Sequence, residues 1–352
     1  MVSKLRALFK GSRNTFIASC AITLLIGTSV SPAQAANSDK GLYGTTDPTY
    51  SAVYNQSLAI LGLDSIGVGA NRAAMTWLVN QQCADGGFQA YRPDTAIPCD
   101  APDPENFTGP STDQTALAAL ALNTQGKFVE SKKALTWLKR VATKDAQGLT
   151  GLPTIQGGAP DAIATALGYL VINDAAPTSA LAKSLRAYLS ALITPCGQER
   201  GGAAAYSNEV PGANNSATAN VYFGLKGNVP VWTAGKLKAN PRCGANKTTR
   251  LGSYLANQMS TDGLLSYYPY DGNDFGATAA TVISLGMAGY GKQSVAKGLA
   301  ALKKNTKSWA LKDSQTNAGA IGWLMMVGKS TGTNPKKFGG VNLVSTLLAS
   351  QK

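Results

Sequence analysis

Two stretches of this chain repeat the same pattern of residues. Residues 77–91 read Trp-Leu-Val-Asn-Gln-Gln-Cys-Ala-Asp-Gly-Gly-Phe-Gln-Ala-Tyr, and residues 254–268 read Tyr-Leu-Ala-Asn-Gln-Met-Ser-Thr-Asp-Gly-Leu-Leu-Ser-Tyr-Tyr. A looser copy begins at Tyr188 and Leu189 and reaches Tyr206 through Gly201-Gly202. Repetition at a period of roughly fifty residues indicates supersecondary units that stack side by side.

Around these copies, the chain alternates two kinds of apolar stretch. The first kind is Ala-rich and opens with a residue typical of helix N-caps, at Asn55, Asp113, Asp161, Asn215, Asp274 and Asn317. The second kind is amphipathic, at about 69–82, 128–142, 178–193, 247–259, 292–305 and 340–350. We therefore predict an all-α fold of six helical hairpins, an (α/α)6 toroid. The Ala-rich helices form its inner ring, with all six N-caps at one mouth.

The chain divides into three predicted regions. Residues 1–35 are typical of a secretory signal peptide, because four cations precede an apolar run that ends at the small residues Ala33-Gln34-Ala35. Residues 36–49 are expected to form a loose N-terminal segment, and residues 50–352 form the toroid domain. We expect the mature protein to be a monomer that is secreted or held in a bacterial envelope.

The cysteines agree with export. Four remain after the signal peptide, Cys83, Cys99, Cys196 and Cys243, and they allow three disulfide connectivities. We expect Cys83–Cys99 and Cys196–Cys243. The chain has no histidine, which removes the commonest zinc ligand and the usual general base at neutral pH. We predict no metal site and no required cofactor.

The positive charge is concentrated near the C-terminus. The formal net charge is +13, and residues 291–352 contain ten Lys and one Asp. This asymmetry suggests docking to an anionic envelope surface, lipid head groups or wall phosphates, through Lys303, Lys304, Lys307, Lys336 and Lys337. A solvated lysine face that aids solubility is the other interpretation. Nucleic acid is not an expected partner of an exported protein.

One copy of the repeat resembles a known motif. Ala74-Met75-Thr76-Trp77-Leu78, Gln82 and Gly86-Gly87-Phe88 are similar to the QW repeat of terpenoid cyclases, with Phe88 where Trp is usual. The resemblance implies the toroid of squalene–hopene cyclases, protein prenyltransferases and the cobalamin-binding α-domain of transcobalamin. That superfamily contains both enzymes and binding proteins.

The residues favour a binding protein over an enzyme. Residues 111–116, Ser-Thr-Asp-Gln-Thr-Ala, resemble the Asp-x-Asp-Asp-Thr-Ala acid motif of cyclases but keep one carboxylate of three, Asp113. No Asp-Asp-x-x-Asp run is present to hold diphosphate through magnesium. We predict no catalytic residue, except Asp113 if the protein is a cyclase-like or prenyltransferase-like enzyme.

The resemblance to transcobalamin implies a ligand at the mouth. Polar residues at the inner-helix starts would hydrogen-bond a corrinoid or a similar flat molecule, and the candidates are Asn55, Gln56, Asp113, Gln114, Asp161, Asn215, Asp274, Gln315 and Asn317. Aromatic residues of the rim loops, Tyr268 among them, would stack on it, as would Phe88, Tyr91, Tyr206, Tyr267 and Tyr270. The simpler interpretation is that each polar residue only caps its helix. The chain has no β-rich lid of its own, so a separate lid domain or an uptake transporter is the expected partner.

Overall fold

The protein is described by a computed structural model that covers residues 39–226, 235–259 and 262–352. The predicted signal peptide, residues 1–35, lies outside these ranges, as do the first residues of the segment 36–49. The helices of the described part are α1 (Ala52–Ser65), α2 (Arg72–Asn80), α3 (Thr112–Thr124), α4 (Phe128–Arg140), α5 (Ala162–Ala175), α6 (Ala180–Ala191), α7 (Asn215–Lys226), α8 (Lys247–Gln258), α9 (Phe275–Ala288), α10 (Lys292–Lys304), α11 (Thr306–Ala310), α12 (Ala318–Thr331) and α13 (Leu343–Ala349).

Short elements complete the described part of the chain. Two antiparallel pairs of two-residue strands are present: β1 (Thr143–Lys144) pairs with β2 (Thr150–Gly151), and β3 (Leu265–Ser266) pairs with β4 (Asn273–Asp274). Single 3₁₀ turns span Lys312–Ser314 and Pro335–Lys337. Each strand pair lies in a loop that follows an even-numbered helix. The fold is therefore mostly helical.

Six helices, α1, α3, α5, α7, α9 and α12, are buried on nearly all sides, and we call them the inner helices. In α9, ten of the fourteen residues are buried, among them Ala277, Ala279 and Ala280. Small residues let these helices approach closely: a Cβ on Gly322 of α12 would lie 2.2 Å from the carbonyl oxygen of Leu58 in α1. The Ala-rich stretches of the sequence were therefore correctly read as the core helices.

The inner helices pack in chain order. Contacts join α1 to α3, α3 to α5, α5 to α7, α7 to α9 and α9 to α12, and α12 also contacts α1. Each inner helix also packs against the amphipathic helix that follows it: α2, α4, α6, α8, α10 or α13. We call these six the outer helices. Between α7 and α12, the buried rings of Phe223 and Trp323 meet edge to face, with their centres 5.4 Å apart.

The segment before α1 is not loose where the structure describes it. Leu42 and Tyr43 are buried, 3% and 2% exposed. The backbone amide of Gly41 donates to the carbonyl of Lys352 at 2.8 Å. In return, the amide of Lys352 donates to the carbonyl of Leu42 at 2.9 Å. The expectation of a loose segment is wrong for these residues, because Leu42 and Tyr43 are buried and the backbone pairs with Lys352.

Both expected disulfides are present. Cys83 is bonded to Cys99 in the loop between α2 and α3, and Cys196 is bonded to Cys243, across two hairpins. Disulfides are typical of proteins that fold in an oxidising compartment. None of the helices in the described ranges has the length and apolarity that a bilayer crossing requires.

Candidate functional site

The N-terminal ends of the inner helices adjoin one another. In four of them, an amide of the first turn donates to a carbonyl in the loop that leads to the next inner helix. The pairs are Val53 with Ala90, Thr112 with Thr154, Ala162 with Tyr206, and Asn215 with Tyr268, at 2.8 to 3.0 Å. We call this end of the molecule the mouth.

Three predicted N-caps at the mouth are confirmed. Asp161, Asp274 and Asn317 each accept hydrogen bonds from amides of the first turn of their helix. The negative charges of Asp161 and Asp274 also interact favourably with the positive end of the helix dipole. These residues therefore have a structural role that does not depend on a ligand.

The other three helices begin before the predicted residue. The N-cap of α1 is Ser51 and that of α3 is Ser111. For α7, Asn214 accepts from the amide of Ala217 at 2.8 Å. Asn55, Asp113 and Asn215 therefore lie inside their helices, so their prediction as caps was wrong. Ser111 was overlooked because the polar residues Thr112, Asp113 and Gln114 separate it from the apolar run.

Four threonines tie the loops to the inner helices, and the sequence analysis missed them. Each stands four residues after a cap, is buried, and accepts a hydrogen bond from a loop amide. The pairs are Thr115 with Phe88, Thr165 with Leu152, Thr218 with Ala204, and Thr278 with Leu265, at 2.8 to 2.9 Å. Threonine at the same position of four Ala-rich stretches was the signal that could have revealed them.

Two carboxyl groups of the mouth interact directly. Asp161 accepts hydrogen bonds from the amides of Ile163 and Ala164, both at 2.9 Å, and from the Thr154 hydroxyl at 2.8 Å. The buried Oδ1 of Asp113 has no hydrogen-bond partner among the described residues. Burial and, to a smaller extent, the charge of Asp161 together raise the pKa of Asp113 to about 7. Because three donors stabilise its charged form, Asp161 ionises first and Asp113 keeps the proton.

A partly buried tyrosine, Tyr54, belongs to this acidic cluster. Burial raises the pKa of Tyr54 in α1, and the charges of Asp113 and Asp274 raise it too. A side-chain hydrogen bond links Tyr54 to Trp323 of α12. The cluster thus brings together side chains from α1, α3 and α12 and the cap of α9. Tyr54 was also missed, because a tyrosine in the first turn of an apolar helix is typical of core packing.

A cleft of about 390 Å³ opens beside the cluster, at the starts of α5 and α7. Its lining is Ile163, Tyr206, Val210, Pro211, Gly212, Ala213, Asn214, Ser216, Tyr267, Pro269 and Tyr270. Tyr267 and Tyr270 are exposed, 46% and 72%. The rim aromatics Tyr206, Tyr267 and Tyr270 are therefore brought together, whereas Phe88 is fully buried and Tyr91 donates to Asp39.

Polar groups lie directly behind the cleft. Ser216 donates a hydrogen bond to Oδ2 of Asp274. Burial raises the pKa of Tyr206 to about 12, and Asp161 contributes to the shift, while a hydrogen bond with Thr154 opposes it. The hydroxyl of Tyr206 is therefore protonated at physiological pH and available to a ligand as a donor or an acceptor.

Three of the remaining candidates contact protein groups of the outer layer. Gln56 accepts from the amide of Tyr43 at 2.8 Å and donates to the carbonyls of Gly41 and Ala74. Asn215 accepts from the hydroxyl of Tyr254 at 2.9 Å. The guanidinium of Arg200 covers the ring of Tyr268 at 3.8 Å. The side chains of Gln56, Asn215 and Tyr268 are therefore engaged by other protein groups, and none of the three lines the cleft.

The last three candidates differ in exposure. Gln315 is exposed, and Asn55 donates to the Ser51 hydroxyl at 2.9 Å. Oε1 of Gln114 is buried without a hydrogen-bond partner in the described part of the chain. Gln114 and its neighbour Asp113 therefore present the acceptors that a ligand donor would satisfy. Among the described residues, no group of three or more His, Cys, Asp or Glu is placed to hold a metal ion.

Comparison with known proteins gives structural matches alone. No protein-family model and no curated protein matches the chain. A protein from Actinoplanes is similar, with a TM-score of 0.48 and 14% identity over 83% of this chain and 93% of that one. ent-Copalyl diphosphate synthase from Streptomyces platensis has a TM-score of 0.48 and 15% identity, over 79% of this chain and 50% of its own.

Proposed function

We propose that this protein is an exported, non-catalytic binding protein that holds a small molecule at the mouth. In this proposal, the six hairpins close into the (α/α)6 toroid, with α12 against α1. The observation that carries the proposal is the cleft, where Tyr206, Tyr267 and Tyr270 come together next to buried polar groups. A concave site with apolar walls and a few polar groups is the usual form of a ligand pocket, and its volume lies in the usual range.

Two observations favour binding over carbocation chemistry. Phe223 and Trp323 are buried and meet edge to face between α7 and α12, which leaves less room there for a polycyclic substrate. A pKa of about 7 also makes Asp113 a weak acid, whereas protonation of an alkene needs a strong one. The carboxyl group of Asp113 therefore serves better as a neutral donor to a ligand.

A corrinoid remains the first ligand to test. In this proposal, the cleft would receive the edge of such a molecule, and a separate lid domain or an uptake transporter would be the partner. We expect cobalamin, or another flat molecule of a panel that includes neutral sugars and nucleosides, to raise the melting temperature of the mature protein. Cobalamin would also show a change in visible absorbance on binding.

A matched pair of variants locates the binding. Tyr267→Ala removes a wall of the cleft and should weaken binding at least about tenfold, the equivalent of about 1.4 kcal/mol. Tyr50→Ala changes a tyrosine that is 83% exposed in the loop before α1, and it should bind like the wild type. Absence of any ligand in the panel, or equal binding by the two variants, would contradict the proposal.

A second function, attachment to an anionic surface, is favoured by the placement of the predicted lysines. The Nζ of Lys303 lies 5.9 Å from the ring centre of Phe338, next to Lys336 and Lys337. A Cβ on Gly339 would lie 2.3 Å from the carbonyl oxygen of Lys303, so the two segments are in direct contact. Lys304, Lys307, Lys336 and Lys337 are exposed. We call these five lysines the basic face.

Co-sedimentation with vesicles tests this second function. The triple variant Lys304→Ala, Lys336→Ala, Lys337→Ala should lose binding to vesicles rich in anionic lipid, and high salt should abolish the binding of the wild type. The control Lys132→Ala, Lys133→Ala, Lys139→Ala removes the same charge from exposed positions of α4. If both triple variants bind alike, net charge and not the basic face is responsible.

A further inference from the structure

Acidic residues outnumber basic residues in the loops at the mouth. The loops that lead into the inner helices comprise residues 39–51, 81–111, 141–161, 192–214, 259–274 and 305–317. Together they contain 15 Asp and Glu but six Lys and Arg. The chain is basic as a whole, so this local excess of acids is opposite in sign to the net charge. Clefts in such a field concentrate ligands of positive charge.

The cleft lies inside this acidic region and adds aromatic walls. None of its lining residues is a Lys or an Arg. Asp274 is bonded to the lining residue Ser216, and Asp161 is close enough to Tyr206 to shift its pKa. Glu209 and Asp271 are exposed and directly precede or follow the lining residues Val210 and Tyr270. Carboxylates thus stand both behind and beside the three tyrosines.

Tyrosine rings attract cations because the faces of their π systems carry partial negative charge. The protein already uses this attraction next to the cleft, where Arg200 covers Tyr268. A hydrated metal ion would gain little from apolar walls, whereas an alkylated ammonium group gains both from ring contact and from the surrounding carboxylates. A neutral molecule of the same shape would gain from ring contact alone.

We propose that the cleft between Tyr206, Tyr267 and Tyr270 is a site for organic cations, molecules that carry an alkylated ammonium group. This inference rests on the proposed function, since it names the ligand class of the same cleft. The tyrosine rings hold the ammonium group, and Glu209, Asp271, Asp274 and Asp161 supply the negative field. Ser216 and Tyr206 offer hydroxyl groups to a polar end of the ligand.

The test compares two probes of the same shape. Choline carries a trimethylammonium group, and 3,3-dimethyl-1-butanol replaces its nitrogen by carbon. We expect isothermal titration calorimetry to show choline binding at least about tenfold more tightly than the neutral alcohol. Equal affinities, or tighter binding of the alcohol, would overturn the inference.

Variants separate the rings from the charges. Tyr270→Ala should weaken choline binding at least about fivefold, and Tyr270→Phe should retain it, because the ring and not the hydroxyl is required. Because Tyr270 is 72% exposed, its substitution should not impair folding. The double variant Glu209→Gln, Asp271→Asn should weaken the binding of choline but not that of the neutral alcohol. The control double variant Asp94→Asn, Glu105→Gln removes the same charge from another mouth loop. It should weaken choline binding less than Glu209→Gln, Asp271→Asn does.

The inference and the proposed function can fail separately. If a neutral member of the panel binds and Tyr267→Ala abolishes that binding, while choline does not exceed its isostere, the cleft is a ligand site of another class. If choline binds equally well to the wild type and to Tyr270→Ala, it binds elsewhere and the inference is wrong. If neither choline nor any panel compound binds, both proposals fall.

Discussion

Asp113 and Asp161 make the stability of the folded protein depend on pH. The pKa of Asp113 rises from 3.8 to about 7 on folding, and burial raises that of Asp161 as well. Between about pH 4 and 7, the folded protein therefore holds a proton that the unfolded chain has released. The proton retained on Asp113 contributes fully to stability below about pH 4. This contribution is lost as the pH rises to about 7, and the free energy of unfolding falls by at most about 1.4 kcal/mol per pH unit.

Asp113→Asn removes the part of this dependence that comes from Asp113, because the amide stays neutral. We expect the variant to gain stability relative to the wild type as the pH rises from 4 to 8, measured as the free energy of unfolding in urea. Asp94→Asn, at an exposed position, should follow the wild type at both ends of this range. A variant Asp113→Asn that loses stability with pH as steeply as the wild type would show that Asp113 is ionised in the folded state.

At the scale of residues, local signals were predictable from the sequence, and contacts between hairpins were not. The caps Asp161, Asp274 and Asn317 were predictable because a cap is a local signal, read from a polar residue and the apolar run behind it. The interaction of Asp113 with Asp161 was not, since the two residues belong to different hairpins. The cleft could be anticipated only as a set of rim tyrosines. Which of them meet depends on how the loops 192–214 and 259–274 pack against each other.

At the scale of elements, the structure explains why the chain repeats an Asp-Gly or Gly-Gly pair after an outer helix. The glycine has a positive φ and rests on a carbonyl of another outer helix. Gly86 meets Lys133 of α4, Gly202 meets Arg250 of α8, and a Cβ would lie 2.6 and 2.4 Å from the respective carbonyl oxygens. The repeat in the sequence is therefore the repeat of one helix-to-loop contact.

Substitution of these glycines should be costly for two reasons, and a matched pair separates them. Gly202 has a φ of +95° and Gly148 a φ of +78°, but no atom lies within 4 Å of a Cβ at Gly148. Gly148→Ala should lose roughly 1–2 kcal/mol from the left-handed backbone alone. Gly202→Ala should lose about 1–3 kcal/mol more, because α8 must also move. Chemical denaturation measures the stability of both variants. Equal losses would mean that α8 moves away from the new Cβ without an energetic cost.

For the molecule as a whole, helix content and the order of hairpins followed from the sequence, while the link between its two ends did not. Residues 36–49 were expected to be loose because they form a polar segment before the first helix. In the structure, Gly44 donates to the Ser350 hydroxyl at 3.0 Å, and Thr45 donates through its amide to Thr316 at 2.9 Å. This contact joins residues some three hundred positions apart, which no local pattern reports.

The link between the ends should contribute to the stability of all hairpins together. Tyr43 is 2% exposed and Tyr50 is 83% exposed, although both belong to the segment before α1. Tyr43→Ala removes a buried ring and should lower the free energy of unfolding by about 3 kcal/mol, in a single cooperative transition. Tyr50→Ala should change it by less than about 0.5 kcal/mol. If the segment were loose, the two variants would unfold alike. A separate early transition in Tyr43→Ala would mean that the segment detaches while α1 and α12 hold together without it.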